Sequence, residues 1–287
     1  MLLANVPFAA AAPKKILFFS KSSGFEHPVI SWKKGRPSHV ETVLLDIGKR
    51  QGWEFTFSKD GSLFSAEYLK QFDGVMFYTS GDLCKPGTDK EPPMTPEGKQ
   101  ALLDWVRGGG SFIGTHAASD TFRGKGTDGK PDPYTQLLGA EFLGHGPQQM
   151  ATNSVPDPAF PGFEEVGTSY SLHEEWYSMI HFNPEMRVLS VLDCAHLNGH
   201  VYQRPPYPTT WARMEGTGKV FYTAMGHRDD IWTNPLFQKI LIGGIRWTLG
   251  EASADVKTNF METVPGATVN PPPAPPKTPT PVATPKA

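Results

Sequence analysis

Four histidines stand at points where an apolar run gives way to a turn. His116 ends the segment Gly108-Gly-Gly-Ser-Phe-Ile-Gly-Thr-His116, with Asp120 four residues on, and His227 ends Lys219-Val-Phe-Tyr-Thr-Ala-Met-Gly-His227 in the same manner. His145 follows Gly144, and His27 closes Ser20-Lys-Ser-Ser-Gly-Phe-Glu-His27 just after the first apolar run. Imidazole changes charge near neutral pH, so a histidine at a strand end suits proton transfer, and in its neutral form it suits a divalent cation. One such histidine is as readily a satisfied cap as a reactive group. Four in the same local context point to a pocket shared by at least two of them, because loops at strand ends are where function gathers.

Acids and aromatics accompany them. His173-Glu174-Glu175-Trp176-Tyr177 sets two carboxylates beside two rings. Neighbours on a strand face opposite ways, so one carboxylate enters a site while the other stays outside it, and which one enters is open. The catalytic candidates are His116 and His227 as bases, with Glu174 or Glu175 as acid or orienting partner. His116, Asp120, His145 and His227 also offer nitrogen and oxygen ligands of the kind zinc or a similar divalent ion takes, although no tight His-x-x-x-His spacing is present. Cys84 and Cys194 form no Cys-x-x-Cys motif, and Cys84 lies in a loop rather than on the strand-to-helix turn that activates a nucleophile, so both read as free thiols.

The first half of the chain supplies a scaffold for these groups. Strands are expected over 15–20, 54–58, 74–78 and 111–114, and helices over 40–51, 66–71 and 96–107. Apolar residues at 40, 43, 44 and 47 have helical spacing ended by Gly52, and Thr95-Pro96-Glu97 is a helix opening with cap, first-turn proline and acid. The small Ala117 and Ala118 after His116 let a following helix pack close to the strand, much as small residues flank a nucleophile elbow. Strand and helix in alternation imply right-handed crossovers and a parallel sheet covered on both faces. After residue 140 the pattern changes to short strands over 148–155, 187–192, 208–213 and 219–224, an antiparallel extension. Asn234-Pro235 then caps a last helix reaching Leu249. The fold class is α/β, a parallel sheet flanked by helices with an antiparallel extension in the second half.

Bulk properties narrow the partners. The 287 residues are 38% hydrophobic with a formal net charge of -2, and no basic cluster marks a surface for nucleic acid or an anionic membrane. No apolar run reaches the roughly 18 residues of a membrane span. Residues 1–13 are apolar and carry an Ala-x-Ala pattern before Pro13-Lys14-Lys15, so they read as a signal remnant or disordered arm. A periplasmic or secreted location is expected on that basis, with a cytoplasmic one as the alternative. Residues 14–250 read as one domain, and 251–287, rich in proline towards the end, as an extended disordered tail.

In order along the chain these segments resemble the trehalose-utilisation, or ThuA-like, family, whose fold is similar to the flavodoxin-like sheet of class I glutamine amidotransferases. The resemblance is carried by Ser20 to His27, Tyr78-Thr-Ser-Gly-Asp82, Gly108 to Thr121, Leu143-Gly-His145 to Gln149, Glu174-Glu-Trp-Tyr177, Phe221 to His227 and Gly243-Gly-Ile-Arg-Trp247. It implies a small-molecule carbohydrate substrate, a glycoside or 3-keto-glycoside, handled by histidine-assisted proton transfer or with metal assistance in a lyase, hydrolase or isomerase. His27, Asp82, Gln149, Trp176 and Trp211 are then the substrate-binding candidates, with the tryptophans as sugar platforms. Glu174-Glu175 stands where the family often has Asp-Glu, and Tyr207-Pro208 where it often has His-Pro. A non-catalytic carbohydrate-binding or sensor protein is the alternative function. A glutaminase, suggested by fold analogy alone, is disfavoured because His116 occupies the position of the elbow cysteine.

Overall fold

The computed structural model describes residues 12–33, 35–124 and 129–274. The first half alternates as β1 (Lys14–Phe19), α1 (His39–Gln51), β2 (Trp53–Ser58), α2 (Ala66–Leu69), β3 (Gly74–Phe77), α3 (Pro96–Arg107) and β4 (Ser111–Thr115). The local signals act as their chemistry dictates. Ser38 and Glu41 form a reciprocal capping box on α1, and Gly52 ends that helix in the left-handed region with φ of 74°. Thr95 accepts a hydrogen bond from the Gly98 amide with Pro96 at the first helical position of α3.

The second half adds α4 (Pro133–Leu138), β5 (Glu141–His145), β6 (Gln149–Ser154), β7 (Ser169–Glu174), β8 (Tyr177–Ile180), β9 (Arg187–Leu192), β10 (Tyr207–Glu215), β11 (Gly218–Thr223), α5 (Asp229–Trp232), α6 (Pro235–Thr248) and α7 (Phe260–Thr263). Among the described residues one sheet of nine strands runs β2-β1-β3-β4-β11-β10-β9-β6-β7, and β5 pairs with β8 separately. β2, β1, β3, β4 and β11 are mutually parallel, whereas β10, β9, β6 and β7 continue antiparallel. The expected α/β class with an antiparallel extension is therefore what forms. β11, grouped by sequence with the extension, instead belongs to the parallel half as its fifth strand. The β5–β8 pair, β7 and α4 were not anticipated as separate elements.

This topology decides where the reactive groups collect. The parallel strands present their carboxyl ends on one edge, and the order reverses between β1 and β3, the kind of switch point at which such sheets bind ligands. Ile16, Phe18, Val75, Phe112, Ile113 and Phe221 are fully buried, so the strands are fixed from both faces and their ends are held rigidly.

The chain after Leu249 departs from expectation. Phe260, Val264 and Ala267 are buried. The Asn259 side chain accepts from the Val188 amide and donates to the Val188 carbonyl, continuing the edge of β9. Arg204 donates to the Ala267 carbonyl. Residues 251–269 are thus docked on the domain rather than free, because a few apolar side chains and one amide clamp find partners that composition cannot reveal. The suggested signal remnant, apart from its last residues, and the tail beyond residue 274 lie outside the described residues.

Candidate active site and metal centre

His116 sits immediately after β4 with φ of 42°, a left-handed conformation that a non-glycine residue rarely takes without support. The support is explicit. The Tyr222 hydroxyl donates to the His116 carbonyl at 2.8 Å, and the His116 Nδ1 lies 2.8 Å from the Ala224 carbonyl. The second contact makes Nδ1 the protonated nitrogen and leaves the Nε2 lone pair facing inward. Ala117 and Ala118 are buried beneath the turn, and a Cβ at Gly114 would lie 2.7 Å from Leu138. Small residues therefore allow the close approach that the sharp turn requires.

His227 is delivered by β11 through Gly226, whose φ is 126°. The Gly226 carbonyl accepts from the Tyr78 hydroxyl at 2.9 Å and the Trp232 indole at 2.8 Å. Its amide donates to Glu174 Oε2 at 2.8 Å, the His227 amide donates to the same oxygen at 3.2 Å, and the Glu175 amide donates to Glu174 Oε1 at 2.7 Å. Glu174 is thus a buried brace behind the site. Along β7, Tyr170, Leu172 and Glu174 are buried while Ser169, Ser171 and His173 are exposed, so strand parity turns Glu174 inward. Glu175 follows the strand end and reaches the centre. The loop carrying His27 is tied by Lys59, which donates to the Ser20 carbonyl at 2.9 Å and pairs with Glu26 at 3.1 Å.

His27, His116, His227 and Glu175 converge so that one ligand atom from each lies within 4.8 Å of the others. The ring centroids of the three histidines are 5.0, 5.2 and 5.3 Å apart, and the rings are inclined by 85°, 84° and 73°. Glu175 Oε2 is 3.0 Å from His227 Nδ1 and 3.6 Å from His116 Nε2, and Oε1 is 3.3 Å from His145 Nδ1. Yet His27 Nδ1, His116 Nε2 and His227 Nδ1 are buried with no hydrogen-bond partner of acceptable geometry among the described residues. Orphaned buried polar atoms are costly, and three on side chains that converge this closely ask for a common partner. Burial, with the neighbouring His116 and His227, drives His27 down to about 2, and burial likewise lowers His116. Burial alone would raise the Glu175 carboxyl, but His116 and His227 outweigh it and hold the group below the ordinary carboxylate range. Three imidazoles and a carboxylate match the donor set of a divalent ion such as zinc. The Ala224 carbonyl behind His116 is the outer contact that would orient such a ligand.

A cavity of about 270 Å³ opens onto this centre, lined by Phe25, His27, Asp120, Phe142, His145, Glu175, Tyr177 and His227. The residues anticipated from sequence divide clearly around it. His27, Asp120, His145, Glu175 and His227 meet there. His116 is fully buried behind the cavity wall, so it can hold the centre but does not itself face a substrate in this conformation. Asp120 and His145, grouped with the metal ligands from sequence, stand on the cavity wall outside the converging quartet, whose places go to His27 and Glu175. Glu174 is not among the cavity residues, its two oxygens being taken by the amides of Glu175, Gly226 and His227.

Trp176 and Trp211 are fully buried, their indole nitrogens donating to the carbonyls of Gln149 and Leu138. Neither offers a ring face to a sugar, which corrects that expectation: both rings serve the core. Phe25 is the exposed ring instead, at 62% of its surface, beside the cavity and 4.9 Å from the His27 ring. Its position in Gly24-Phe25-Glu26-His27 was the available signal, and a lone phenylalanine two residues from a histidine is too weak to isolate. Gln149 spends its amide on Asn198 and Pro147, and Asp82 accepts from the Cys84 amide, with neither among the cavity residues. Cys84 and Cys194 are free thiols, and burial raises both.

Across residues 15–248 the sequence matches the ThuA family, described as trehalose utilisation. A comparison with curated proteins finds no significant match. Among solved structures, a ThuA-like protein from Bacteroides uniformis is 18% identical with a TM-score of 0.64, covering 85% of this chain and 95% of its own. A second, from Parabacteroides merdae, is 16% identical with a TM-score of 0.60 over 90% and 96%. A cytoplasmic protein from Salmonella typhimurium is 11% identical with a TM-score of 0.53 over 85% and 99%. At these identities the structures bear on fold alone.

Proposed function

We propose, from the premise that this chain belongs to the trehalose-utilisation (ThuA) family across residues 15–248, that it is an enzyme acting on an oxidised glycoside, a 3-keto sugar, at the centre formed by three histidines and Glu175. The observation that carries this reading is the convergence of three orphaned buried imidazole nitrogens and one ionised carboxylate at the floor of a small cavity. A carbonyl at C3 of a sugar acidifies the proton on C2. Removing that proton needs a base, and the resulting enolate needs positive charge beside its oxygen.

The residues divide these tasks. His27, His116, His227 and Glu175 would hold a divalent ion, which when bound would polarise the keto oxygen. His145 stands on the cavity wall with Nδ1 2.8 Å from the Gly146 carbonyl, which makes Nε2 the basic nitrogen. It is the group we assign to take the C2 proton. Phe25 and Phe142 offer apolar faces to the sugar ring. Glu174 keeps Glu175 and His227 in register through the three backbone amides it accepts.

The test is incubation of the purified protein with trehalose and with 3-keto-trehalose, with and without added zinc, followed by NMR against His145→Ala and His227→Ala variants. Turnover of the keto sugar alone, lost in both variants, is the expected result. Ligand broadening without turnover in any condition would overturn the enzyme reading in favour of a carbohydrate-binding protein.

A further inference from the structure

Asp120 lines the cavity yet lies outside the quartet that converges on its floor. It sits at the end of the tight turn His116–Asp120 that follows β4, so the device that positions His116 positions this carboxyl too. Its Oδ1 is buried and lies 2.5 Å from the Arg123 Nε. The carboxyl is thus anchored by one ion pair on a residue that lines the cavity. If the enolate goes on to expel the substituent at C1, one task is left without a residue, protonation of the departing glycosidic oxygen.

Resting on the reading above, we infer that Asp120 is the catalytic residue that donates a proton to the leaving group. In the balanced step, His145 takes the C2 proton, the C2–H electrons pass through the enolate to form the C1=C2 bond, and the C1–O bond breaks. The departing alkoxide takes the Asp120 proton and leaves as an alcohol, with a 1,2-unsaturated 3-keto sugar as the other product. The proton on His145 returns through solvent to Asp120, so substrate alone is consumed. Burial raises the Asp120 carboxyl to about 6, with Arg123 opposing and Glu141 on β5 reinforcing the shift. The other titratable groups around it are Tyr177 on β8 and Tyr222 on β11, with His27, His145, Glu175 and His227 sharing the cavity wall. A carboxyl so placed is partly protonated near neutral pH, as a proton donor must be.

The experiment compares methyl and 4-nitrophenyl 3-keto-glucosides as substrates for wild type and Asp120→Asn. A methoxide leaving group needs a proton and nitrophenolate does not. The expected result is a loss of about 100-fold or more in kcat/KM on the methyl glycoside and less than about 10-fold on the nitrophenyl one, in keeping with the usual size of general-acid assistance. Zinc content should remain that of the wild type, since Asp120 is not a ligand. An equal loss on both substrates, or no loss on either, would overturn the inference. Wild type inactive on both would instead sink the enzyme reading itself. Arg123→Gln supplies a second variant, altering a half-exposed side chain. Removing the guanidinium should move the alkaline limb of the methyl-glycoside pH profile upward, and an unmoved limb would also overturn the assignment.

Discussion

Replacing Glu174 by alanine strips three backbone amides of their acceptor at once, the buried ones of Glu175 and Gly226 and the partly buried one of His227. Each orphaned buried donor costs about 1–3 kcal/mol, and with some relief from water entering the vacated space the expected loss is about 3–6 kcal/mol. For a domain of this size about 2–4 °C accompanies each kcal/mol, so Tm should fall by at least about 6 °C. Glutamine retains one oxygen and should lose only about 1–2 kcal/mol. The pH dependence sharpens the test. Burial raises the Glu174 carboxyl to about 7 from 4.5, against the three amide hydrogen bonds. The folded protein therefore binds this proton more tightly than the unfolded chain. Its contribution is fully present below about pH 4.5 and is lost as pH rises through 7, a span of about 3 kcal/mol. Urea unfolding of wild type and Glu174→Gln between pH 4.5 and 8 should thus give curves of different slope, the wild type falling faster. Parallel curves, together with a Glu174→Ala protein that melts within 2 °C of wild type (a shift of only about 1 kcal/mol), would refute the brace.

Other consequences are as direct. Phe25→Ala should raise KM for a sugar substrate several-fold while leaving Tm within about 1 °C, since that ring is exposed, and an unchanged KM would remove it from the binding face. Trp211→Phe should show the reverse pattern. Losing the indole bond to the Leu138 carbonyl at 2.7 Å costs about 1–3 kcal/mol in urea unfolding with no specific change in KM. Asn259→Ala unpairs both the amide and the carbonyl of Val188 and should cost about 1–3 kcal/mol, whereas a free tail would tolerate it without change.

Much of the fold was legible because the parallel half obeys local rules. The capping box on α1, the Thr95-Pro96 opening of α3 and the apolar runs of β1, β3 and β4 each point to one structure, and tertiary packing agrees with them. The strand-end histidines were legible for the same reason, since sheet ends are where such runs stop. The β5–β8 pair was not, because its register breaks between Phe142 and Gly144 and it pairs apart from the main sheet. The ligand quartet was only half visible. His27 and Glu175 come from opposite halves of the chain, and nothing local says that the loop after β1 and the end of β7 meet over β4. Glu174 and Glu175 could have been told apart by the alternation of Tyr170, Leu172 and Glu174 against Ser169, Ser171 and His173. The tryptophans misled because an aromatic beside an acid reads equally as platform or core, and only burial separates the two.

The measurement that bears most directly on the centre is a calorimetric titration of chelator-treated protein with zinc, in wild type, His227→Ala and Glu175→Gln. The account predicts one ion per chain in wild type, weakened by at least about 100-fold in either variant, with keto-sugar turnover following occupancy. Wild type that takes up no ion, or variants that bind it as tightly as wild type, would contradict it.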